Sequence, residues 1–308
     1  MKVEYVAFSN LIIDDIVFPD GRTSWDTLGG GGLHALVGMR VWNASLGYAA
    51  SVGPDLADKH REALNAFGVD VRGLAVRPGT KTARAWQLFE WDDYRTEIFR
   101  TDMSEFREQK IQLADLPADY LQAKGYHIQW GKVPELLKLV GALRAANPDI
   151  KLVLEVSPTN FGEPEALWRE LLPQIDLISP DEEESLGITG RSDPHEICAT
   201  YIDWGVPLVA LRMGARGSLV YAADGQRWEL PAVPTEIVDV TGAGNSYCGG
   251  FAVGLGEGLS PFEASLRAAV SASFALEQLG LPHWDDDSLA AEANRRVAWA
   301  RNHTTRLS

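Results

Sequence analysis

The sequence predicts an α/β fold: one domain over residues 1–308, with a parallel sheet covered by helices on both faces and a small β lid. Three observations predict it. From about residue 125, short apolar runs alternate with segments of helical spacing. Earlier, residues 82–101 alternate over many positions, the pattern of a hairpin and not of a βα unit. Near the C-terminal end, the apolar run TEIVDV meets Thr241-Gly242-Ala243-Gly244 and continues as small residues with helical apolar spacing.

In order along the chain, VEYVAF (residues 3–8) reads as the first strand, followed by LIIDDIVF with two carboxylates near the strand end. FPDGRTSWDTLGGGG is rich in turn formers. LHALVGMRVWNASLG has helical spacing and a glycine stop. YAASVG reads as a strand, and DLADKHREALNAFG as a helix opened by Asp and closed by Gly. TARAWQLFEWDDYRTEIFRT reads as a hairpin that breaks at Asp92-Asp93. With residues 15–28 it would build the lid. YHIQW, KLVLEVS, LISP and PLVALRM read as strands. PELLKLVGALRAAN, EALWRELLPQ, EEESLGI and HEICATYIDWG read as helices, and DDDSLAAEANRRVAWARN as a terminal one. Ligands of such sheets bind at the C-terminal strand ends.

Composition narrows the function. The chain is 45% hydrophobic and 23% charged, ordinary globular values. Its formal net charge of -15, with no clustered Lys and Arg, argues against a nucleic-acid partner. Two cysteines, Cys198 and Cys248, make neither a disulfide framework nor a zinc pattern. No run approaches the ~20 apolar residues of a membrane span. The N-terminus lacks the layout of a signal peptide. These features predict a cytoplasmic protein without a membrane partner.

The strongest chemical signal is the glycine turn at 242–244. Glycines let the backbone turn tightly and present several N–H groups together. A helix start adds unpaired amides and partial positive charge, which suit a phosphate. No Gly-Lys-Ser/Thr follows, so this is not a Walker loop, and no G-x-G-x-x-G follows the first strand, so a dinucleotide fold is excluded.

Asp239-Val240-Thr241-Gly242-Ala243-Gly244-Asn245 closely resembles the C-terminal signature of the PfkB family of ribokinase-like sugar kinases, ordinarily Asp-Thr-x-Gly-Ala-Gly-Asp. Ser9 to Asp14 resembles the family's first strand, ending at a substrate-binding Asp. Gly29-Gly30-Gly31-Gly32-Leu33-His34 resembles its Gly-Gly-x-x-x-Asn sugar loop, with His34 where Asn is usual. Asp181-Glu182-Glu183-Glu184 sits where the family has Asn-x-x-Glu. Arg212-Met213-Gly214-Ala215-Arg216-Gly217 resembles the strand-turn that meets the nucleotide.

The resemblance implies a three-layer αβα sandwich, ATP with Mg2+, and a sugar or nucleoside acceptor. It gives Gly242, Ala243 and Gly244 the transferring phosphoryl group; Asp14, Gly29, Gly30 and His34 the substrate; and Asp181, Arg212, Gly214, Gly217 and Thr241 the nucleotide. Glu184 would act on Mg2+ through water. Asp239, with Thr241, matches positions that in some members help hold a monovalent cation such as K+. Asn245 is the departure: the family's Asp takes the proton of the substrate hydroxyl, and an amide cannot. A slow kinase, a kinase using another base, and a binding protein without catalysis all fit that change. The lid is expected to serve as a homodimer face, and Trp25, Trp86, Trp91 and Arg100 stand between pocket and dimer face.

Overall fold

The structure, a computed structural model, describes residues 2–91, 95–102, 104, 106 and 110–307. The expected hairpin break at Asp92-Asp93 lies outside the described residues. The strands are β1 (Tyr5–Phe8), β2 (Ile12–Val17), β3 (Thr23–Gly29), β4 (Leu46–Val52), β5 (Val69–Asp70), β6 (Leu74–Val76), β7 (Ala83–Phe89), β8 (Arg95–Phe99), β9 (Gly125–Ile128), β10 (Lys151–Leu154), β11 (Leu177–Ile178), β12 (Leu208–Arg212), β13 (Ser218–Ala222), β14 (Arg227–Leu230) and β15 (Thr305–Arg306). The helices are α1 (Gly31–Arg40), α2 (Asp58–Ala66), α3 (Val133–Ala146), α4 (Glu165–Leu171), α5 (Glu182–Thr189), α6 (Pro194–Asp203), α7 (Ala243–Gly256), α8 (Pro261–Ala275) and α9 (Asp286–His303).

The large sheet has the order β15-β14-β13-β12-β11-β10-β9-β1-β4-β5, with β6 also pairing with β4. Strands from β12 across to β5 run parallel, as the alternation predicts. The far edge corrects the all-parallel expectation: β13, β14 and β15 run antiparallel. Two further boundaries differ. The first helix stops at Arg40, and the glycine taken as its stop, Gly47, lies inside β4. Asp14 is not at the end of the first strand, which stops at Phe8, but inside β2 of the lid.

Period-two alternation assigns each strand's side chains to two cores. Tyr5 and Ala7 join a core with α1, α7, α8 and α9, while Val6 and Phe8 join one with α3, α4 and α6. Helices therefore cover both faces, giving a three-layer α/β sandwich. Among the described residues no helix is long and apolar enough to cross a membrane. Cys198 and Cys248 are free and buried.

The lid is a second sheet, order β3-β2-β7-β8. Its strands alternate between a face toward the body and an outer face. Asp14 pairs with Ala85 and Asp15 with Trp86, so neighbouring carboxylates point opposite ways. Asp15 receives the Asp26 N–H at 2.9 Å across a bulge and pairs with Arg100. Asp26 in turn binds Lys59 at 2.5 Å and Arg84 at 3.2 Å, tying the lid to α2.

Helices α1 and α7 approach so closely that only glycine fits between them. A Cβ on Gly249 would stand 2.1 Å from the Ala35 carbonyl oxygen, and one on Gly38 2.0 Å from that of Ser246. Gly141 of α3, by contrast, has nothing within 4 Å of such an atom. Gly249→Ala is therefore expected to destabilise by about 1–3 kcal/mol or more through overpacking. Gly141→Ala should stabilise by roughly 0.5–1 kcal/mol through helix propensity. Urea unfolding of the two variants against the parent chain checks both signs.

Candidate active site

Two helix starts converge on one cavity of about 910 Å3 between the lid and the C-terminal ends of the parallel strands. Its wall includes Gly30 and Gly31 at the start of α1, and Gly242, Gly244 and Asn245 at the start of α7. Gly30 and Gly242 stand just before their helices with φ of 90° and 78°, values that L side chains rarely adopt. Neither helix has a side-chain cap or an acid in its first turn. By contrast, α5, α6, α8 and α9 are capped by Asp181, Asp193, Ser260 and Asp285. Among the described residues, no acceptor takes the N–H groups of Gly242, Ala243 and Gly244. The α7 start thus keeps amides and partial positive charge ready for an anion.

His34 packs against this turn. A Cβ on Gly242 would stand 2.0 Å from His34 Cγ, and the His34 carbonyl accepts the Ser246 hydroxyl at 2.6 Å. Burial depresses its imidazole to about 4, so it is neutral at pH 7. Asp14 faces the same cavity from the lid and accepts a 3.0 Å hydrogen bond from Gln87. Burial raises its carboxyl to about 6 against that hydrogen bond. Gly29 does not line the cavity. It makes room for Asp14, whose Oδ2 would lie 1.8 Å from a Cβ there.

The floor of the cavity is charged. Arg212, at the end of β12, lies beneath Gly244, where a Cβ would meet its Nη1 at 1.8 Å. Its guanidinium contacts Glu155 at 3.3 Å and Glu184 at 2.9 Å, and donates to the Ser179 carbonyl at 3.1 Å. Glu155 Oε2 lies 2.7 Å from His127 Nε2 and accepts from Asn245 Nδ2 at 2.7 Å. Burial works against the charge of Glu155, but Arg212, His127 and Asn245 outweigh it and hold the carboxyl below its ordinary range. Glu184 and Asp181 close a reciprocal capping box at 2.8 Å each way. Burial, with Asp181 and Glu155 nearby, raises Glu184 to about 7 despite Arg212.

The cavity therefore gathers Asp14, Gly30, His34, Asp181, Glu184, Arg212, Thr241, Gly242, Gly244 and Asn245. It does not gather the others. Gly214 and Gly217 shape the turn after β12, Ala243 lies within the α7 start, and Asp239 is buried behind it, accepting the Thr241 N–H at 2.8 Å. Trp25, Trp86, Trp91 and Arg100 are absent from the wall too. Sequence reasoning missed Glu155, His127, Gln129 and Gln87. The signal for the first two was available: a Glu just after one parallel strand and a His inside another, in otherwise apolar runs.

The raised Asp14 value fixes a sign. The folded protein holds that proton more tightly than the unfolded chain, so the stability it adds is fully present below about pH 4 and is lost as pH rises through about 6. Asp14→Asn removes the loss and keeps an acceptor for Gln87. At pH 8 the variant should gain ~2–3 kcal/mol over the parent chain, with little change at pH 4. Chemical denaturation at the two pH values measures it.

The comparisons with known proteins agree with this architecture. The pfkB family carbohydrate kinase model matches residues 6–284. The chain is 30% identical over 271 residues to a cytidine kinase of Thermococcus kodakarensis, covering 86% of this chain and 92% of that one. The ribokinase of Arabidopsis thaliana complexed with ribose and ATP superposes with a TM-score of 0.73 at 22% identity, over 95% of this chain and 99% of the other. The nucleoside kinase of Methanocaldococcus jannaschii does so with a TM-score of 0.71 at 18% identity, over 97% and 99%. At such identities the two structures speak for the fold. The match over most of the chain, with the site just described, places the protein in the pfkB family of carbohydrate kinases as a phosphotransferase of that type.

Proposed function

We propose that this protein transfers the γ-phosphoryl group of ATP, with Mg2+, to a hydroxyl of a nucleoside or a ribosyl compound of similar size. One observation carries the reading: the uncapped α7 start and the acceptor wall of the lid, Asp14 and Gln87, face one cavity. Phosphoryl transfer needs an anion cradle and a held hydroxyl in line with it, and little covalent chemistry. The nucleoside part is supported by the cavity's aromatic members, Phe99, Phe106 and Trp130. The Phe99 and Phe106 rings lie 5.1 Å apart. A flat base fits against such walls. The cytidine kinase likeness supports the same class.

In this reading Asp14 accepts substrate hydroxyls, with Gly30 and His34 shaping that end. The N–H groups of Gly242, Ala243 and Gly244 stabilise charge as it develops on the phosphoryl group. Arg212 and Thr241 flank the phosphates, with Asp181 beside them, and the turn holding Gly214 and Gly217 borders the nucleotide's ribose. The residues fit a divalent cation. Glu184 spends Oε2 on the Asp181 N–H and Arg212, Oε1 takes no hydrogen bond among the described residues, and burial makes its charge costly without a cation. Glu184 would hold Mg2+ through water, and the ion would neutralise phosphate charge. Asp239 and Thr241 would be the place for K+.

A second reading, a nucleotide or sugar sensor, is favoured by Asn245 alone. It is separated by measuring ADP release with ATP, Mg2+ and a panel of nucleosides and sugars. Turnover on a nucleoside is expected, and Asp14→Ala should lower kcat/KM by about 10–100-fold, the worth of a hydrogen bond to a charged group. A chain whose melting temperature rises with ATP but which releases no ADP over any acceptor is a sensor.

We also assign the outer lid face to a second copy of the chain. Trp25, Trp86 and Ile98 are 59%, 41% and 41% exposed there, an apolar surface that a monomer rarely leaves open. Sedimentation should show a dimer, and Trp86→Glu should shift it toward monomer.

A further inference from the structure

Asn245 cannot accept a proton, so in this chain another group must take the one the acceptor hydroxyl loses. Among the described residues the cavity wall holds five carboxylates: Asp14, Glu97, Glu155, Asp181 and Glu184. Position singles out one. Asp14 belongs to the lid, where it accepts from Gln87, as does Glu97. Asp181 and Glu184 are tied into their capping box. Glu155 alone among them is bonded to the first turn of α7, through Asn245 Nδ2 at 2.7 Å.

Its atoms are arranged for the task. A carboxylate offers about four acceptor positions. Oε2 is filled by His127 and Asn245. Oε1 meets Arg212 at 3.3 Å and accepts no hydrogen bond among the described residues. It lies 3.5 Å from where a Cβ on Gly244 would stand, beside the amides that face the phosphoryl group. Glycine at 244 makes room for the Arg212 guanidinium, whose Nη1 a Cβ would meet at 1.8 Å, so carboxylate and guanidinium share that side of the turn. Arg212 and His127 keep the carboxyl ionised despite 3% exposure, so it is competent to accept.

We propose that Glu155 is the proton acceptor of the reaction, with the negative charge moved from position 245 onto its hydrogen-bonded neighbour. The inference rests on the kinase reading above. As the acceptor oxygen forms its bond to the γ-phosphorus, the O–H bond breaks and its proton passes to Glu155 Oε1. The bond from the γ-phosphorus to the bridging oxygen breaks with its electron pair leaving on ADP, and the proton goes to solvent when products depart. In a loose transition state the proton moves late, so an ionised carboxylate of ordinary or low basicity suffices.

The experiment compares the parent chain, Glu155→Gln and the exchanged pair Glu155→Gln/Asn245→Asp, each with ATP, Mg2+ and the best nucleoside acceptor. Affinity for a non-hydrolysable ATP analogue and melting temperature are followed alongside. Glu155→Gln should lose about 10²–10⁴-fold in kcat. Its KM and analogue affinity should stay within about threefold, since an amide of the same shape remains and base help acts on the chemical step. The exchanged pair keeps the hydrogen bond with its donor and acceptor reversed, and returns the carboxylate to the start of α7. It should recover at least about tenfold of that loss. A Glu155→Gln variant that keeps kcat within about threefold overturns the assignment and leaves the kinase reading standing. So does a lost kcat that the exchanged pair does not recover. A parent chain that binds the analogue yet turns over no acceptor ends the kinase reading, and this inference with it.

Discussion

Arg212 leaves the end of β12 and turns its guanidinium beneath the first turn of α7, where Glu155 and Glu184 meet it at 3.3 and 2.9 Å. A buried charge is tolerated only when it is paired and hydrogen-bonded. This one is paired from two sides, by residues that follow β10 and open α5. Removing a partner from such a cluster leaves an uncompensated buried charge and typically costs about 3–5 kcal/mol. The cluster therefore fixes the ends of β10 and β12 and the start of α5 relative to the start of α7. It also sets the electrostatics of the cavity: positive charge lies under the amides of 242–244, and carboxylates lie around it.

The second constraint is steric. Helices α1 and α7 touch through Gly38 and Gly249, where any side chain would strike a backbone carbonyl. That closeness lets two helix starts open on one space, and it explains the run of small residues through 242–254. The glycines of that run contribute little apolar burial of their own, while Tyr247 and Phe251 between them enter the core. Stability comes from the two cores on either side of the sheet and from four helices whose starts are capped by a side chain.

Function is visible as local cost. Asp14 and Glu184 are carboxylates raised toward 6 and 7 by burial, and the α7 start is left without a cap. Each disfavours the empty folded state, and each would be relieved by a ligand with the complementary group. The lid shows how one residue decides a role. Asp14 and Asp15 are adjacent, yet strand alternation gives one to the cavity and the other to Arg100 on the outer side.

Much of this was legible in the chain itself, because the signals are local. Strand and helix alternation, the helices at 133–146 and 194–203, read from the sequence as 134–147 and 195–205, and the glycine turn at 242–244 follow from periodicity and from the conformations glycine permits. The family likeness in those motifs carried the fold and the list of contacts. What the sequence could not supply were pairings between distant segments. Asp14 was read as a strand end because nothing local shows that Ile12–Val17 pairs with Ala83–Phe89. Gly47 looked like a helix stop until β4 claimed it. Glu155 carried no motif, and its bond to Asn245 spans 90 residues. Local backbone preference is written in neighbouring residues. Which buried charge must neutralise which other is decided only when folding brings them within a few ångströms and removes the water between them.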